Sequence, residues 1–566
     1  MKRSSSQAPL AVLLLTVAPA IAQPANDCSD PYWQDSLRCL SSPGTLPQPV
    51  PDPPSNPAQI KEYTRFPLLS NFGIRCADGT RPVLYIDPAV SGPSNDWLIS
   101  FTGGASCRAE DSDLDGTYDD GQLCVDFYFG GEAGAMGTSS DPAMKHLGNI
   151  PAASEGVLKP NITVNPVFAE YNRVRVEKCG FDRHNGRVTH PDLAALDPGN
   201  NPLDYSLYQH GRLIGHLALD ELRGDFGTGL GISYTTWVEQ GGKVVEQTET
   251  LPALEHADTV VLVGHSAGAH GLLHNTDAFA DHLRAWLGFA GDVRTVIDAN
   301  FLPAVENEVS FDPGQSGDLY DHVFSGTTND TGNYDGELYW NGEYAREYEA
   351  WMADPADPLE TLFDASCVAA HQAANEEWMC RDRHHVLFNH LTTPFFIRED
   401  LSDPSGPHTM GGLGHVANWG EIASYPHCGI LGMDPCPPLI PVGNPSPYRD
   451  RLHQQAQTVA GDLATRSELA LGADTSGPPP SHFYWMPNCG SHNGAYQDAP
   501  FYTQEFIGSA PVATFRELLE VFVAAPPTGA VATLIDGIDG TSACLGSLFV
   551  DGFESGDTTA WSTTVE

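Results

Sequence analysis

The sequence predicts an α/β fold, with a mostly parallel sheet, helices on both faces and long loop insertions. Three observations carry this reading. Short apolar runs rich in β-branched and aromatic residues recur from about Phe66 onward, as strands buried on both faces do. Segments with helical periodicity lie between them, and strands alternating with helices build covered parallel sheets. Stretches rich in Gly, Asp and Pro, at about 110–165, 225–250, 303–345 and 400–450, interrupt the alternation. Loops of that length in a compact domain are mostly substrate-facing or disordered.

The elements follow in chain order. Lys2 and Arg3 precede an apolar core from Leu10 to Val17, and Ala20-Ile21-Ala22 is a small-residue cleavage signal. Residues 1–22 are therefore expected to be a signal peptide of the bacterial export type, with an apolar core too short to span a bilayer. Residues 23–58 read as a Pro-rich leader, with seven prolines between Ser42 and Pro57. Residues 59–525 form the main domain. Within it, strands are expected at Val83–Ile86, Trp97–Phe101, Asn172–Val176, Thr259–Val263, Arg294–Ile297 and Pro394–Ile397. Helices are expected over Gln209–Leu222, where Leu213, Leu217, Leu219 and Leu222 make an apolar stripe, and over Gly268–Trp286. Residues 526–566 read as a C-terminal tail; its turn-rich segment Asp551 to Asp557 resembles one that recurs at the ends of exported bacterial proteins.

Charge and cysteine content narrow the function. A net charge of −45 over 566 residues argues against nucleic acid and against anionic membrane surfaces as partners. No later segment has the apolar length of a membrane span. The expected protein is a secreted monomer, extracellular or periplasmic in transit. Export permits disulfides, and the chain holds 12 cysteines without a Cys-x-x-Cys pair. Short spacings predict Cys28–Cys39, Cys107–Cys124, Cys367–Cys380 and Cys428–Cys436. Of the three pairings open to the remaining four, Cys76–Cys179 with Cys489–Cys544 is favoured.

The chemistry centres on Gly264-His265-Ser266-Ala267-Gly268, which follows the run Thr259–Val263 and opens a helical segment. Strand, Gly-x-Ser-x-Gly and helix is the context of a nucleophile elbow, in which glycines permit a strained turn and the helix N-terminus faces a developing oxyanion. A serine nucleophile needs a base, an acid to orient it, and donors for the oxyanion. Downstream bases are His384, His385, His390, His408, His415, His427, His482 and His492. His492 stands out, in a loop of turn-formers after the apolar run His482 to Met486. Glu399, Asp400 and Asp403 follow the strand at Pro394, and pattern alone leaves the three open. For oxyanion donors, Phe101 to Cys107 carries glycines after an early strand, and the Ala267 N–H follows the nucleophile.

Several ordered segments resemble the pectin acetylesterase and Notum family of carboxylesterases, spanning about residues 70 to 500. They are Arg75 to Gly79, Phe101 to Cys107, Tyr171 to Val174 with Cys179, Gly211 to Leu222, Gly264 to Gly268, Asp298 to Phe301 and Thr393 to Ile397. The resemblance implies an α/β-hydrolase-like fold with a Ser266–Asp403–His492 triad and an oxyanion hole at Gly104, Ala105 and Ala267. It places the acid at Asp403, with Asp400 in reserve. Ala105 and Ser106 stand where the family has glycine and tryptophan, so its acyl preference does not transfer.

The implied activity is that of a serine carboxylesterase removing a short acyl group such as acetyl from an extracellular ester, an acetylated polysaccharide among them. Binding without catalysis on a hydrolase scaffold, and acyl transfer, are the alternatives. No organic cofactor is implied. Asp111, Asp113, Asp115 and Asp119, with Gly116, have the spacing of a calcium loop, although Gln122 stands where a bidentate Glu is expected. Two readings stand: a structural calcium site, or a solvated acidic loop.

Overall fold

The computed structural model describes residues 40, 57, 63–68, 73–104, 107, 121–129, 149–150, 156–223, 231–286, 288–299, 363–374, 380, 386–387, 389–400, 482–487, 494–503, 514–524 and 532–535. A ten-stranded sheet organises them. Its strands are β1 (Tyr63–Pro67), β2 (Val83–Asp87), β3 (Asp96–Phe101), β4 (Asn149–Ile150), β5 (Asn172–Val176), β10 (Thr259–His265), β11 (Asp292–Asp298), β12 (Phe395–Arg398), β13 (Phe483–Met486) and β14 (Ala532–Ile535). Two hairpins stand apart, β6 (Val188–Leu196) with β7 (Pro202–Gln209), and β8 (Ser233–Gln240) with β9 (Lys243–Thr250).

The sheet order is β14-β13-β12-β11-β10-β3-β5-β2-β1-β4. All pairs from β14 to β5 are parallel, whereas β5–β2, β2–β1 and β1–β4 are antiparallel. The pairing puts Gly264 level with Phe101 on one side and His265 level with Asp298 on the other. The carboxyl ends of β3, β10 and β11 therefore meet at one edge, where open parallel sheets place their sites.

Side-chain alternation builds two cores from the same strands. Trp97, Ile99, Phe101, Val260 and Leu262 face one layer with Ile214, Leu217, Leu272 and Phe279. These last come from α2 (Gly211–Leu222) and α3 (Ala267–Asp281), which follow α1 (Gln122–Phe129) in the chain. Leu98, Val261, Val263, Val296, Phe396 and Trp485 face the opposite layer with Phe501, Phe515, Leu519 and Phe522. Its helices are α5 (Asp498–Thr503) and α6 (Phe515–Ala524), after α4 (Ala365–His371). Each fully buried Phe or Leu in these layers contributes about 1.5–3 kcal/mol. Phe279 stacks on Phe101 at 5.5 Å, so Phe279→Ala would open a cavity directly beneath the end of β3.

All six expected strands form: Asn172–Val176 as predicted, Pro394–Ile397 shifted by one residue to Phe395–Arg398, and the other four lengthened at one or both ends. The α/β architecture is therefore as the sequence predicts. Four details differ. Gln209 ends β7 instead of starting a helix, and the helix after Ser266 changes to a wider π turn over His282–Trp286. The stretch read as irregular at 225–250 holds β8 and β9, joined at Gly241-Gly242 with φ of 61° and 77°. Those values suit a two-residue hairpin turn. The strands are polar, with little of β9 buried, so they carry no apolar run to betray them. Within the stretch read as a tail, Ala532–Ile535 pairs with β13 and extends the sheet.

Disulfides Cys76–Cys179, Cys107–Cys124 and Cys367–Cys380 pair as expected. Cys28, Cys39, Cys428, Cys436, Cys489 and Cys544 lie outside the described residues, as do residues 1–22 and the aspartates at 111, 113, 115 and 119. Among the described residues, no helix is long and apolar enough to cross a membrane.

Candidate active site

Ser266 occupies the corner between β10 and α3 with φ 50° and ψ −120°. This is a strained conformation for a non-glycine residue, of the kind that persists only where its surroundings over-determine it. The surroundings here are specific. The Ser266 N–H donates to the Asp298 carbonyl at 3.0 Å, and the Ser266 carbonyl accepts the His270 N–H at 3.0 Å. A Cβ on Gly264 would lie 2.5 Å from the Gly268 carbonyl oxygen, and one on Gly268 would lie 2.0 Å from that of Phe101. Both glycines are thus required by close approach. Ala267 is the first residue of α3, so its N–H belongs to a turn whose amides lack intrahelical acceptors.

The loop after β3 lies beside this corner. Gly104 has φ 132°, and the Gly103 N–H donates to His265 Nε2 at 3.0 Å. The segment Cys179–Asn185 buttresses the loop from behind. The Cys107 N–H donates to the Phe181 carbonyl at 3.1 Å, and the Lys178 N–H donates to Thr102 Oγ1 at 2.8 Å. His184 Nε2 donates to the Thr102 carbonyl at 2.9 Å. Phe181, Arg183 and His184 all have positive φ, of 54°, 53° and 61°, at about 1–3 kcal/mol of strain each. Asp182 holds this loop against α2 by accepting the Gly211 N–H at 2.5 Å and the His184 N–H at 3.1 Å. Burial raises the Asp182 carboxyl, against the lowering effect of those bonds and of Lys178. Burial likewise pushes His184 down to about 4, so its imidazole is neutral.

An ionic cluster closes the other side. Arg398, at the end of β12, is fully buried and donates to Asp298 at 2.8 Å and to Asp400 at 2.7 Å. The second Asp298 oxygen accepts the Ala495 N–H at 2.7 Å. The Tyr496 hydroxyl donates to the Val263 carbonyl at 3.0 Å and shares a 2.8 Å hydrogen bond with Ser100. Asp498 accepts the Gly156 N–H at 3.1 Å, and the Tyr502 hydroxyl donates to the Gly156 carbonyl at 2.8 Å. The segment that begins two residues after His492 is therefore fixed to β10, β11 and the turn at Gly156–Leu158.

Of the residues expected from sequence, Ser266, Ala267 and Gly104 come together at the carboxyl edge. Ala105, Asp403 and His492 lie outside the described residues. Some alternatives are placed clearly. His482 immediately precedes β13 and stacks on Phe395 at 4.0 Å, at the amino edge and opposite Ser266. His390 lies on the segment leading into β12, also on the amino side. Asp400 reaches the carboxyl edge, but its carboxylate is engaged by Arg398. Sequence reading missed Arg398, His184 and His265. The charged residue closing the apolar run at 395–398 was the available signal for Arg398.

Comparison with known proteins now bears on this arrangement. A family model described as pectinacetylesterase matches residues 59–222. Notum, a palmitoleoyl-protein carboxylesterase of Schmidtea mediterranea, is 23% identical over 345 residues, covering 61% of this chain and 49% of that protein. Pectin acetylesterase 7 of Arabidopsis thaliana is 23% identical over 230 residues, covering 41% of this chain and 43% of that protein. The solved structure of the Wnt deacylase Notum from Drosophila matches with a TM-score of 0.50 and 17% identity, covering 84% of this chain and 97% of that one. Part of the chain, residues 59–222, is thus similar to pectin acetylesterases, and a longer stretch is similar to Notum.

The pectinacetylesterase match runs from just before β1 to the end of α2. It takes in the Phe101–Gly104 loop, the Cys76–Cys179 bridge and the strained turn at Phe181–His184, and it stops before Ser266. The matched stretches span about half or less of each curated relative's length. Likeness to the Notum structure supports the α/β-hydrolase-like fold.

Proposed function

We propose that this protein is a serine carboxylester hydrolase. The observation that carries the reading is Ser266, held at φ 50° between β10 and α3 with Gly104 on the neighbouring loop. In the proposed cycle Ser266 Oγ attacks the ester carbonyl while His492 takes its proton. The amides of Gly104, Ala105 and Ala267 hold the oxyanion, and Asp403 orients His492. His492 then protonates the departing alcohol, leaving an acyl-serine. Water, deprotonated by His492, attacks the acyl group, and the carboxylic acid leaves as Ser266 regains its proton.

The pairing of Asp400 with Arg398 supports Asp403 as the orienting acid, since it leaves the reserve candidate in a structural ion pair. The proposed substrate is an extracellular ester with a short acyl group such as acetyl, on an alcohol that can be a polysaccharide. The family's pectin acetylesterases support that class. Secretion is proposed with it, in keeping with the three disulfides among the described residues and the signal peptide expected at residues 1–22. Labelling with a fluorophosphonate, followed by a series of p-nitrophenyl esters and then acetylated glycans, tests the reading. Stoichiometric labelling lost in Ser266→Ala is expected. Full ester turnover by Ser266→Ala would sink the mechanism, and exclusive product formation on alcohol acceptors would move the activity to acyl transfer.

A further inference from the structure

The residue before the nucleophile touches all three parts of the site. His265 Nε2 accepts the Gly103 N–H at 3.0 Å, and the ring lies 4.0 Å from that of Tyr496 at an interplanar angle of 52°. The fit is close, because a Cβ on Gly103 would lie 2.8 Å from two ring atoms of His265 and 3.0 Å from Ser266 Cβ. A nitrogen that accepts a hydrogen bond carries no hydrogen, so the neutral ring has its proton on Nδ1. An amide held by an imidazole is not offered to a substrate carbonyl. The Gly103 N–H therefore serves as an anchor for the loop, and the amides available to an oxyanion begin at Gly104. Tyr496 in turn is tied to β10 through Val263 and to β3 through Ser100. The imidazole is wedged between the loop that offers the donors and the segment that follows His492.

We infer that His265 is a positioning residue for the oxyanion loop, accepting the Gly103 N–H and so fixing how the chain enters Gly104. The inference rests on the serine hydrolase reading of this site. It assigns to the variable residue of the Gly-x-Ser-x-Gly motif a role beyond packing. Packing alone would make any ring of similar size equivalent, whereas positioning requires an acceptor at the Nε2 position. Glutamine supplies an acceptor at that reach; phenylalanine supplies the ring without it.

The test compares wild type, His265→Phe and His265→Gln in the full chain. The readouts are kcat and KM for a p-nitrophenyl ester, and amide hydrogen exchange of the peptide containing Gly103. His265→Phe is expected to lower kcat by roughly ten- to hundredfold with KM within about twofold, because displaced donors lose transition-state binding. Exchange at the Gly103 peptide should accelerate in the same variant. His265→Gln should recover most of kcat and the slow exchange. Equal kcat in the two variants, or faster exchange in His265→Phe without a kcat loss, would overturn the inference. Should His265→Phe fold poorly, the inference stands or falls on His265→Gln against His265→Ala under the same readouts. Failure of the serine reading itself would show separately, as wild-type turnover in Ser266→Ala.

Discussion

The Asp298 carboxylate, at the end of β11, accepts the backbone N–H of Ala495 at 2.7 Å. One side chain thereby joins the strand beside the proposed nucleophile to the segment that begins two residues after the proposed base. Its other oxygen meets Arg398, so the contact is also part of a buried ionic cluster.

Breaking that cluster should be costly. Arg398→Met leaves Asp298 and Asp400 as neighbouring buried carboxylates without their cation. The expected loss is about 3–5 kcal/mol, as for other buried pairs deprived of one partner. Replacing all three charges, with Asp298→Asn, Arg398→Met and Asp400→Asn together, should be less destabilising than Arg398→Met alone. Urea unfolding of the two variants measures the order, and the reverse order would mean that the cluster is worth more than its desolvation.

The two aspartates after β12 should separate by phenotype. Asp403→Asn is expected to lower ester turnover by at least about a hundredfold while leaving the melting temperature close to wild type, as should Ser266→Ala and His492→Ala. Asp400→Asn should instead lower stability, since it weakens the hold on Arg398. An active Asp403→Asn beside a stable, inactive Asp400→Asn would reverse the assignment.

Stability should fall in mild acid. Burial pushes His184 and His210 down to about 4, and His216 down to about 3. The unfolded chain titrates each near 6.5 and so takes up protons there that the folded state refuses. Each histidine's contribution is complete above about pH 6.5 and is lost toward its folded value, at about 1.4 kcal/mol per pH unit. Asp182 opposes this, because burial raises its carboxyl and protonation removes a buried charge. Urea midpoints at pH 7.5 and pH 5 should show the fall, and His184→Gln should reduce it. A midpoint that is flat or higher at pH 5 would contradict the account.

Calcium binding at Asp111, Asp113, Asp115 and Asp119 is open to direct measurement. A calcium site would raise the melting temperature in excess calcium over that in EDTA, by mass action on the folded state. The shift should vanish in Asp113→Ala/Asp115→Ala. Equal shifts in both proteins, or none in either, would reduce the spacing to a solvated acidic loop.

The parallel half of the sheet was legible because its strands are buried on both faces. Val260 and Leu262 face one core and Val261 and Val263 the other, so the sequence shows an unbroken apolar run. The elbow was legible because close approach of backbone at Gly264 and Gly268 leaves no alternative residue. The polar hairpin β8–β9 was not, because only Tyr234, Thr236 and Trp237 of β8 are buried and the largely exposed β9 is held by pairing with it. The polar cluster at Asp298, Arg398 and Ala495 was little more legible, since the charge closing the run at 395–398 marks Arg398 but not its partners. It joins residues 197 positions apart in sequence, and charged residues at strand ends are common on solvated surfaces. The strained turn at Phe181–His184 gave no sign, since none of its positive-φ residues is glycine.

The place of β14 has a consequence for how the molecule is made. Phe483, Tyr484, Trp485 and Met486 are buried in β13, and among the described residues its outer hydrogen-bonding edge is met by Ala532–Ile535. During synthesis that edge is complete only after residue 535 has emerged, when the strands that carry Ser266 and Arg398 have long been available. Until then the nascent chain carries an open aromatic edge, a template for pairing with other chains. Chains truncated before residue 532 should therefore accumulate as aggregates while their elbow sequence remains intact.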